Sequence, residues 1–356
     1  MQQQDRSPSI QSRAHLTALA CAAFEQAGAT PEAAADAADI LVEGDLMGFH
    51  SHGLRRVIAY AARLRRGSLN PRPQMHGERL GPSLMRLDGD NGLGPAVAAE
   101  ALRRGLDLAG ETGLGLVGVR NGSHFGAGSP YALRACNAGM VLVAGTNAIR
   151  SLAPTGGTEA RVGNNPLVIA APARRNPHFM LDMAMSIAAR GRIRAARERG
   201  DPIPQGLATG PDGLPTTDPA QALRGMMLPI GGHKGYGLAV GMDILAGVLT
   251  GALFGTDPRS MLQQMDLPQG NGHFFLAIDP GRFMARSEFR ARMDTLLDEL
   301  LSTPAADPER PVRYPGHSEQ TMRALRMRDG IPLPVGLLRS LEALARGETI
   351  AETATH

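Results

Sequence analysis

The mixture of apolar and polar positions changes character twice along the chain. Residues 11 to 66 read as helices. Thr30-Pro31-Glu32 supplies an N-cap, a proline at the first helical position and an early acid, and Gly44 is expected to close that helix. A further helix is expected from about Gly53 to Arg66, stopping at Gly67. Residues 70 to 82, NPRPQMHGERLGP, are proline-rich and read as a link and a domain boundary. Beyond them short apolar runs alternate with helical stretches. Leu84 to Leu87 leads through DGDNGLGP to an alanine-rich helix over about 95 to 110. GLGLVGV reads as a buried strand, NGSHFG as a polar turn, about 129 to 137 as a helix and MVLVAGT as another strand. Leu167 to Ala171 and Phe179 to Met183 add two strand candidates. A glycine-rich helix is expected from Lys234 to about Gly251, and HFFLAID reads as the last strand. Such alternation predicts an α/β sheet domain. From about residue 284 helix and charge return. The expected organisation is an α/β domain over 79–285 and a helical domain collected from both chain ends, 1–78 plus 286–356.

Composition narrows the class. The chain has 356 residues, 43% hydrophobic and 20% charged, enough for two domains with a sizeable core. No apolar run approaches the roughly 18 residues of a membrane span, and MQQQDRSPSI lacks the apolar stretch of a secretory signal. A cytoplasmic protein without a membrane partner is expected, with residues 1 to 10 as a frayed tail. Cys21 and Cys136 lie far apart with no CxxC pattern, which suits a reducing compartment and argues against a thiolate metal site. The net charge of +3 does not suggest nucleic-acid binding. Of the 37 basic residues all but Lys234 are arginines, so GGHKGYG retains a compact ammonium where every other basic position carries a guanidinium.

The polar clusters suggest chemistry. Gly113-Leu-Gly-Leu-Val-Gly118 matches GxGxxG, but its glycines follow a helix and lie in the strand itself, whereas a dinucleotide fingerprint follows a strand and opens a helix. No aspartate stands between residues 108 and 181 to hold a ribose. GFHSHGLRRVIAY places His50, Ser51 and His52 at a helix start. Three readings stay open: a metal site, a capping serine with solvated histidines, or proton transfer. Metal is disfavoured because residues two apart diverge on a helix and no carboxylate or cysteine completes a set. Imidazole exchanges protons near neutral pH, and Arg56, four residues after His52, can hold a carboxylate in two hydrogen bonds. That pairing is what reduction of a 2-oxo acid needs. His124 in NGSHFG sits in a strand-to-helix turn, where ligands meet a sheet rim, and Asp182 in LDMAMS ends an apolar strand, where a carboxylate either caps the next segment or orients a ligand or a histidine. The run ARGRIRAARERG reads as a solvated helix face or a contact to a cofactor phosphate.

Taken in order, SHGLRRVIAY, DGDNGLG, NGSHFGAGSPYA, APTGG, GNNPLVIAAP, LDMAMS, GLPTTDP, GGHKGYGLA, GHFFLAIDP and YPGH resemble the malate/L-lactate dehydrogenase family over about residues 45 to 331. This group, distinct from the Rossmann lactate and malate dehydrogenases, includes ureidoglycolate and sulfolactate dehydrogenases, 2,3-diketogulonate reductase and piperideine-2-carboxylate reductase. The resemblance implies a non-Rossmann mixed-sheet cofactor domain, NAD or NADP as cofactor, a small carboxylate substrate, no metal and a homodimer. It implies proton transfer by His52 or His124 and a carboxylate anchor in Arg56, with Ser51 and Tyr60 lining the pocket. Cofactor positions implied are Met180, Leu181, Asp182, Met183, Ala184, Met185 and Ser186, then His233 and Lys234, then Pro315, Gly316 and His317. The chain departs from the family pattern at Met185, Arg192, GNNP and His317. The reaction expected is hydride transfer between nicotinamide and a 2-hydroxy or 2-oxo acid. Alternatives are reduction of a cyclic imino acid, a histidine-metal hydrolase, and a non-catalytic binder of acidic polymers.

Overall fold

The computed structural model describes residues 8–350. The first half runs β1 (Ser9–Gln11), α1 (Arg13–Gln26), α2 (Pro31–Leu46), α3 (Arg55–Arg65), β2 (His76–Gly81), β3 (Leu84–Asp88), α4 (Gly94–Thr112), β4 (Leu114–Gly122), α5 (Ser129–Asn137) and β5 (Val141–Thr146). Then come β6 (Arg150–Leu152), β7 (Val162–Gly163), β8 (Leu167–Ala171), β9 (Phe179–Met183), α6 (Arg190–Arg199), α7 (Pro219–Arg224) and α8 (His233–Asp243). The chain closes with β10 (Asn271–Ile278), α9 (Arg286–Leu301), α10 (His317–Asp329), β11 (Ile331–Leu333) and α11 (Val335–Ala345).

Seven strands form one mixed sheet in the order β2-β3-β4-β10-β5-β8-β9. Only β3 and β4 are parallel neighbours; the other pairs are antiparallel. The central strand β10 sets Phe275 opposite Val117 of β4 and Ala144 of β5. Its alternation divides two layers. Phe275 packs with residues of α4 and α5 on one face, and Phe274 with Met242 and Ala246 on the other. Burial of a phenylalanine of this kind is worth about 1.5–3 kcal/mol. A separate core joins α1, α2, α3 and α11, and Met261 from a distant loop enters it.

The glycines of the GxGxxG match have a packing role. A Cβ on Gly115 would lie 2.0 Å from the Gly105 carbonyl oxygen of α4, so the helix rests directly on the strand. Gly118 faces the Thr250 side chain from the opposite layer, where a Cβ would lie 3.1 Å from its methyl carbon.

Several boundaries differ from those expected. Gly44 does not end α2, which continues to Leu46 because Gly44 is buried against the Gly53 and His52 backbone. The segment read as a link contains β2, where His76 pairs with Asp88. Its proline-rich half hid an edge strand. Of the tail expected over residues 1 to 10, positions 1–7 lie outside the described residues, and Ser9 to Gln11 pair with Ile331 to Leu333. The glycine-rich helix ends its α-helical run at Asp243 and widens into a π-turn over Ile244–Val248. Thr30 caps α2 as expected, its side chain accepting from Ala33 N–H.

Candidate active site

The turn between α2 and α3 is shaped by one buried carboxylate. Asp45 accepts the Leu54 N–H at 2.6 Å and the His50 Nδ1–H at 2.6 Å. A Cβ at position 53 would lie 2.2 Å from Asp45 Oδ2, so only glycine fits the turn. His50 Nε2 then accepts from Arg326 Nη2 at 3.2 Å, and Arg326 also reaches the Asp45 carbonyl. His50 is therefore a strut between α10 and this turn. His52 occupies the turn itself rather than α3. Among the described residues no group of three histidine, cysteine or acidic side chains is placed to hold a metal.

The strut delivers His52 to His124. Their rings stack with centroids 5.4 Å apart and planes 23° apart. His124 sits in the turn between β4 and α5, and a Cβ on Gly94 would lie 2.1 Å from its carbonyl oxygen, which accounts for that glycine in DGDNGLG. Gln269 accepts the His124 backbone N–H at 3.1 Å. Tyr60, fully buried on α3, donates its hydroxyl to the His124 carbonyl at 3.0 Å, and its oxygen lies 2.6 Å from Nδ1. With Nδ1–H donating to that oxygen, Nε2 holds a free lone pair. In the other tautomer Nδ1 accepts the Gly126 main-chain N–H at 3.3 Å and Nε2 carries the proton. Ser51 Oγ stands 2.8 Å from His52 Nδ1.

Burial sets the protonation of the pair. It pushes His52 down to about 4, aided by the positive charge of Arg56. His124 is held well below its ordinary value by burial, Arg56, His52 and His273. Both rings are thus neutral near pH 7, and their proximity disfavours double protonation. Burial also raises the Tyr60 hydroxyl. Arg56 is lowered by burial and by Arg55 and Arg194, with Tyr60 opposing. Among the described residues its Nε is buried without a hydrogen-bond partner, and Nη1 approaches the Met261 sulfur at 4.0 Å. A guanidinium so placed is ready for an anion.

The expected cofactor positions form a strip along the sheet edge. Met180 N–H donates to the Pro315 carbonyl at 3.0 Å, and Gly316 (φ 90°) lies so close that a Cβ would meet Met180 at 2.8 Å. At the other end, Met185 accepts from Ile230 N–H at 2.9 Å, and Ser186 bridges to Pro229. Two left-handed glycines, Gly231 and Gly232, then lead to exposed His233 and Lys234 at the uncapped N-terminus of α8. Asp182 is committed elsewhere: its Oδ2 accepts the Ser129 N–H at 2.7 Å and hydroxyl at 3.0 Å. Burial raises its carboxyl against those bonds. That contact ties the strip to α5, five residues beyond His124. Leu181, Met183 and Ala184 are half-buried along the strip, and His317 Nδ1 is buried without a partner.

Sequence reasoning missed the residues that hold this assembly together. Arg63, fully buried, donates to the carbonyls of Met261, Gln264 and Leu267, fixing a loop about 200 positions away. The available signal was the spacing Arg56, Tyr60, Arg63, which places two guanidiniums and a phenol on one stripe of α3. Asp45 and Gln269 carried no local signal.

A mixed sheet with a non-Rossmann topology, a neutral imidazole pair and a half-buried guanidinium without an ion-pair partner among the described residues meet here, with no dinucleotide fingerprint. The chain belongs to the malate/L-lactate dehydrogenase family, whose model matches residues 11–342. It is 37% identical to the L-sulfolactate dehydrogenase of Methanocaldococcus jannaschii over 317 residues, 89% of this chain and 91% of that protein. The solved structure of sulfolactate dehydrogenase from that organism superposes with a TM-score of 0.88 at 35% identity, covering 95% and 97% of the two chains. The ureidoglycolate dehydrogenase (NAD(+)) of Escherichia coli K12 is 33% identical, with 92% and 93% covered. The (2R)-3-sulfolactate dehydrogenase (NADP(+)) of Chromohalobacter salexigens is 33% identical, with 92% and 95% covered. Among the described residues no helix is long and apolar enough to cross a membrane.

Proposed function

We propose that the protein transfers hydride between a nicotinamide cofactor, NAD or NADP, and carbon 2 of a small 2-hydroxy or 2-oxo carboxylic acid. The observation that carries this reading is Arg56: a half-buried guanidinium, its Nε orphaned and with no carboxylate partner among the described residues, beside two imidazoles held neutral. The family and the printed activities of the relatives support it.

Arg56 holds the substrate carboxylate, with Ser51 and Tyr60 lining the pocket. The carboxylate offsets the same positive charge that depresses His52, so substrate binding raises the imidazole's proton affinity. In alcohol oxidation the neutral His52–His124 pair accepts the hydroxyl proton; in reduction it returns a proton to the oxygen. Tyr60 holds the His124 ring in place through its hydroxyl. The nicotinamide, when bound, supplies or accepts the hydride. Three features fit such a group: the orphaned His317 Nδ1, the close backbone at Gly316, and the open N-terminus of α8 with Lys234, where anions are favoured. Met180 to Ser186 would line the dinucleotide between Pro315–His317 and His233–Lys234.

The proposal includes a cytoplasmic homodimer. Leu238, Ile244, Leu245, Val248 and Leu249 are exposed together on α8 and its π-turn, an apolar face suited to a second copy. It also includes the division into a helical unit (1–78 plus 286–356) and a cofactor unit (79–285), supported by the separate core of α1, α2, α3 and α11.

The test follows the near-ultraviolet absorbance of reduced nicotinamide with NADH and NADPH against a panel of 2-oxo acids and cyclic imines. His52→Ala is expected to lower kcat by about 10² to 10⁴ while cofactor binding persists. Unchanged turnover in that variant removes His52 from proton transfer.

A further inference from the structure

The ladder between β4 and β10 breaks where the proton site begins. His273 pairs with Val119 and Asn271 with Gly122, so Arg120 and Asn121 bulge out of the register. Their carbonyls accept instead from the Gly89 and Asn91 N–H groups of the loop after β3, with Asn121 in the left-handed region (φ 51°). Bulges of this kind re-aim side chains and concentrate beside active sites. Here the bulge leads directly into the turn that carries His124, and the fully buried ring of His273 lies against it. A Cβ on Gly122 would lie 2.6 Å from His273 Nε2, so the ring rests on the β4 backbone itself. The same ring stacks on Phe125, with centroids 5.0 Å and planes 7° apart. Phe125 stacks in turn on Tyr131, which donates its hydroxyl to the Phe125 carbonyl at 2.6 Å. Gly122 and Phe125 lie on either side of His124 in the chain, so His273 grips the turn both before and after it.

Thr146 orients the imidazole. Its hydroxyl donates to the Gly272 carbonyl at 2.9 Å, so its oxygen accepts His273 Nδ1–H at 2.7 Å. Nε2 is then a buried lone pair without a hydrogen-bond partner among the described residues. A position that needed only volume would be better filled by an apolar side chain. Burial holds the ring down at about 4, and its charge, if present, would oppose a proton on His124. Resting on the hydride-transfer reading above, we propose that His273 is a positioning residue for proton transfer: through its stack on Phe125 and its contact with Gly122 it fixes the turn that presents His124 to His52 and the substrate.

The test applies histidine NMR titration and steady-state kinetics, with NADH and NADPH, to full-length His273→Asn, His273→Phe and Phe125→Leu. His273→Asn keeps a donor for Thr146 and removes the ring. It should move the His124 titration up toward its ordinary value, because a released turn is better hydrated. It should also lower kcat by about 10- to 100-fold, as a small misplacement does, with cofactor KM unchanged. His273→Phe keeps a ring against Phe125 and should restore most of that loss. Phe125→Leu removes the stack from the other side and should reproduce both effects of His273→Asn. Combining His273→Asn with Phe125→Leu should cost little more than either alone, since both break one stack. A folded His273→Asn whose His124 ring and kcat match the wild type overturns the proposal, even where the protein has become less stable. So do fully additive losses in the double variant. Where His273→Asn does not fold, Phe125→Leu decides by the same His124 readout. The NMR arm needs no turnover. Absence of turnover with every acid and both cofactors removes the hydride-transfer reading, whereas a His124 shift in His273→Asn still supports the positioning role.

Discussion

Around His124 the contacts are made by side chains: the Tyr60 hydroxyl, the Gln269 amide and the His52 ring, with Arg56 one helical turn before Tyr60. Along Met180 to Ser186, apart from the Asp182 carboxylate on Ser129, they are made by the main chain: Met180 to Pro315, Met185 to Ile230, and two left-handed glycines before His233. The first region is buried and electrostatically tuned, so substitution there changes chemistry. The second is a largely buried backbone contour that ends at exposed His233 and Lys234, so its tolerance is set by shape. A proton site needs fixed side-chain geometry and low dielectric, whereas a long dinucleotide needs an extended surface with close backbone approach.

The largest stability effect tests how firmly the buried region is held. Arg63 joins α3 to the loop that carries Met261 to Arg56. Arg63→Met leaves three carbonyls without their charged donor, and bonds of this type are worth about 1.5–3 kcal/mol each. A loss of about 3 kcal/mol is expected after partial relaxation, read by urea denaturation. A change within about 0.5 kcal/mol, the ordinary range of an inert surface site, means the loop is held by other contacts.

The backbone-built region is sharpened by Gly316→Ala. A left-handed non-glycine residue costs about 1–3 kcal/mol, and its Cβ would press on Met180. Weaker nicotinamide cofactor affinity, with a modest fall in Tm, is the expected result of calorimetric titration. Unaltered affinity takes Pro315–His317 out of the cofactor strip.

The same contrast explains what could be seen before the structure. MVLVAGT, GLGLVGV and the helix at 129 to 137 announced themselves by local pattern, as did the Thr30 cap. His52, Arg56 and Tyr60 share one short motif, so their grouping was legible. His124 joined them through resemblance, because a lone histidine in a turn has no local signature. Arg63, Gln269 and Met261 act across about 150 to 200 positions, and nothing local predicts such pairings. β1 and β2 escaped because three residues or a proline-flanked run carry too little alternation to declare a strand.

The smallest effect concerns pH. His52 in the folded protein sits at about 4, below the ordinary 6.5, because burial and Arg56 oppose its charge. The unfolded chain therefore binds more protons between these values. Stability is fully present above pH 6.5 and declines as pH falls toward 4, by at most about 1.4 kcal/mol per unit for each such histidine. His273, pushed to about 4 by burial, adds to the same window.

Histidine NMR titration of the full-length protein tests the coupling of Arg56 to the imidazole pair most directly. The His52 ring is predicted to titrate near 4 in the free protein, and to move upward when oxamate and reduced cofactor bind. In Arg56→Met it should already be raised without them. A His52 ring that titrates at its ordinary value in the free protein, or that ignores both oxamate and the loss of Arg56, contradicts the account.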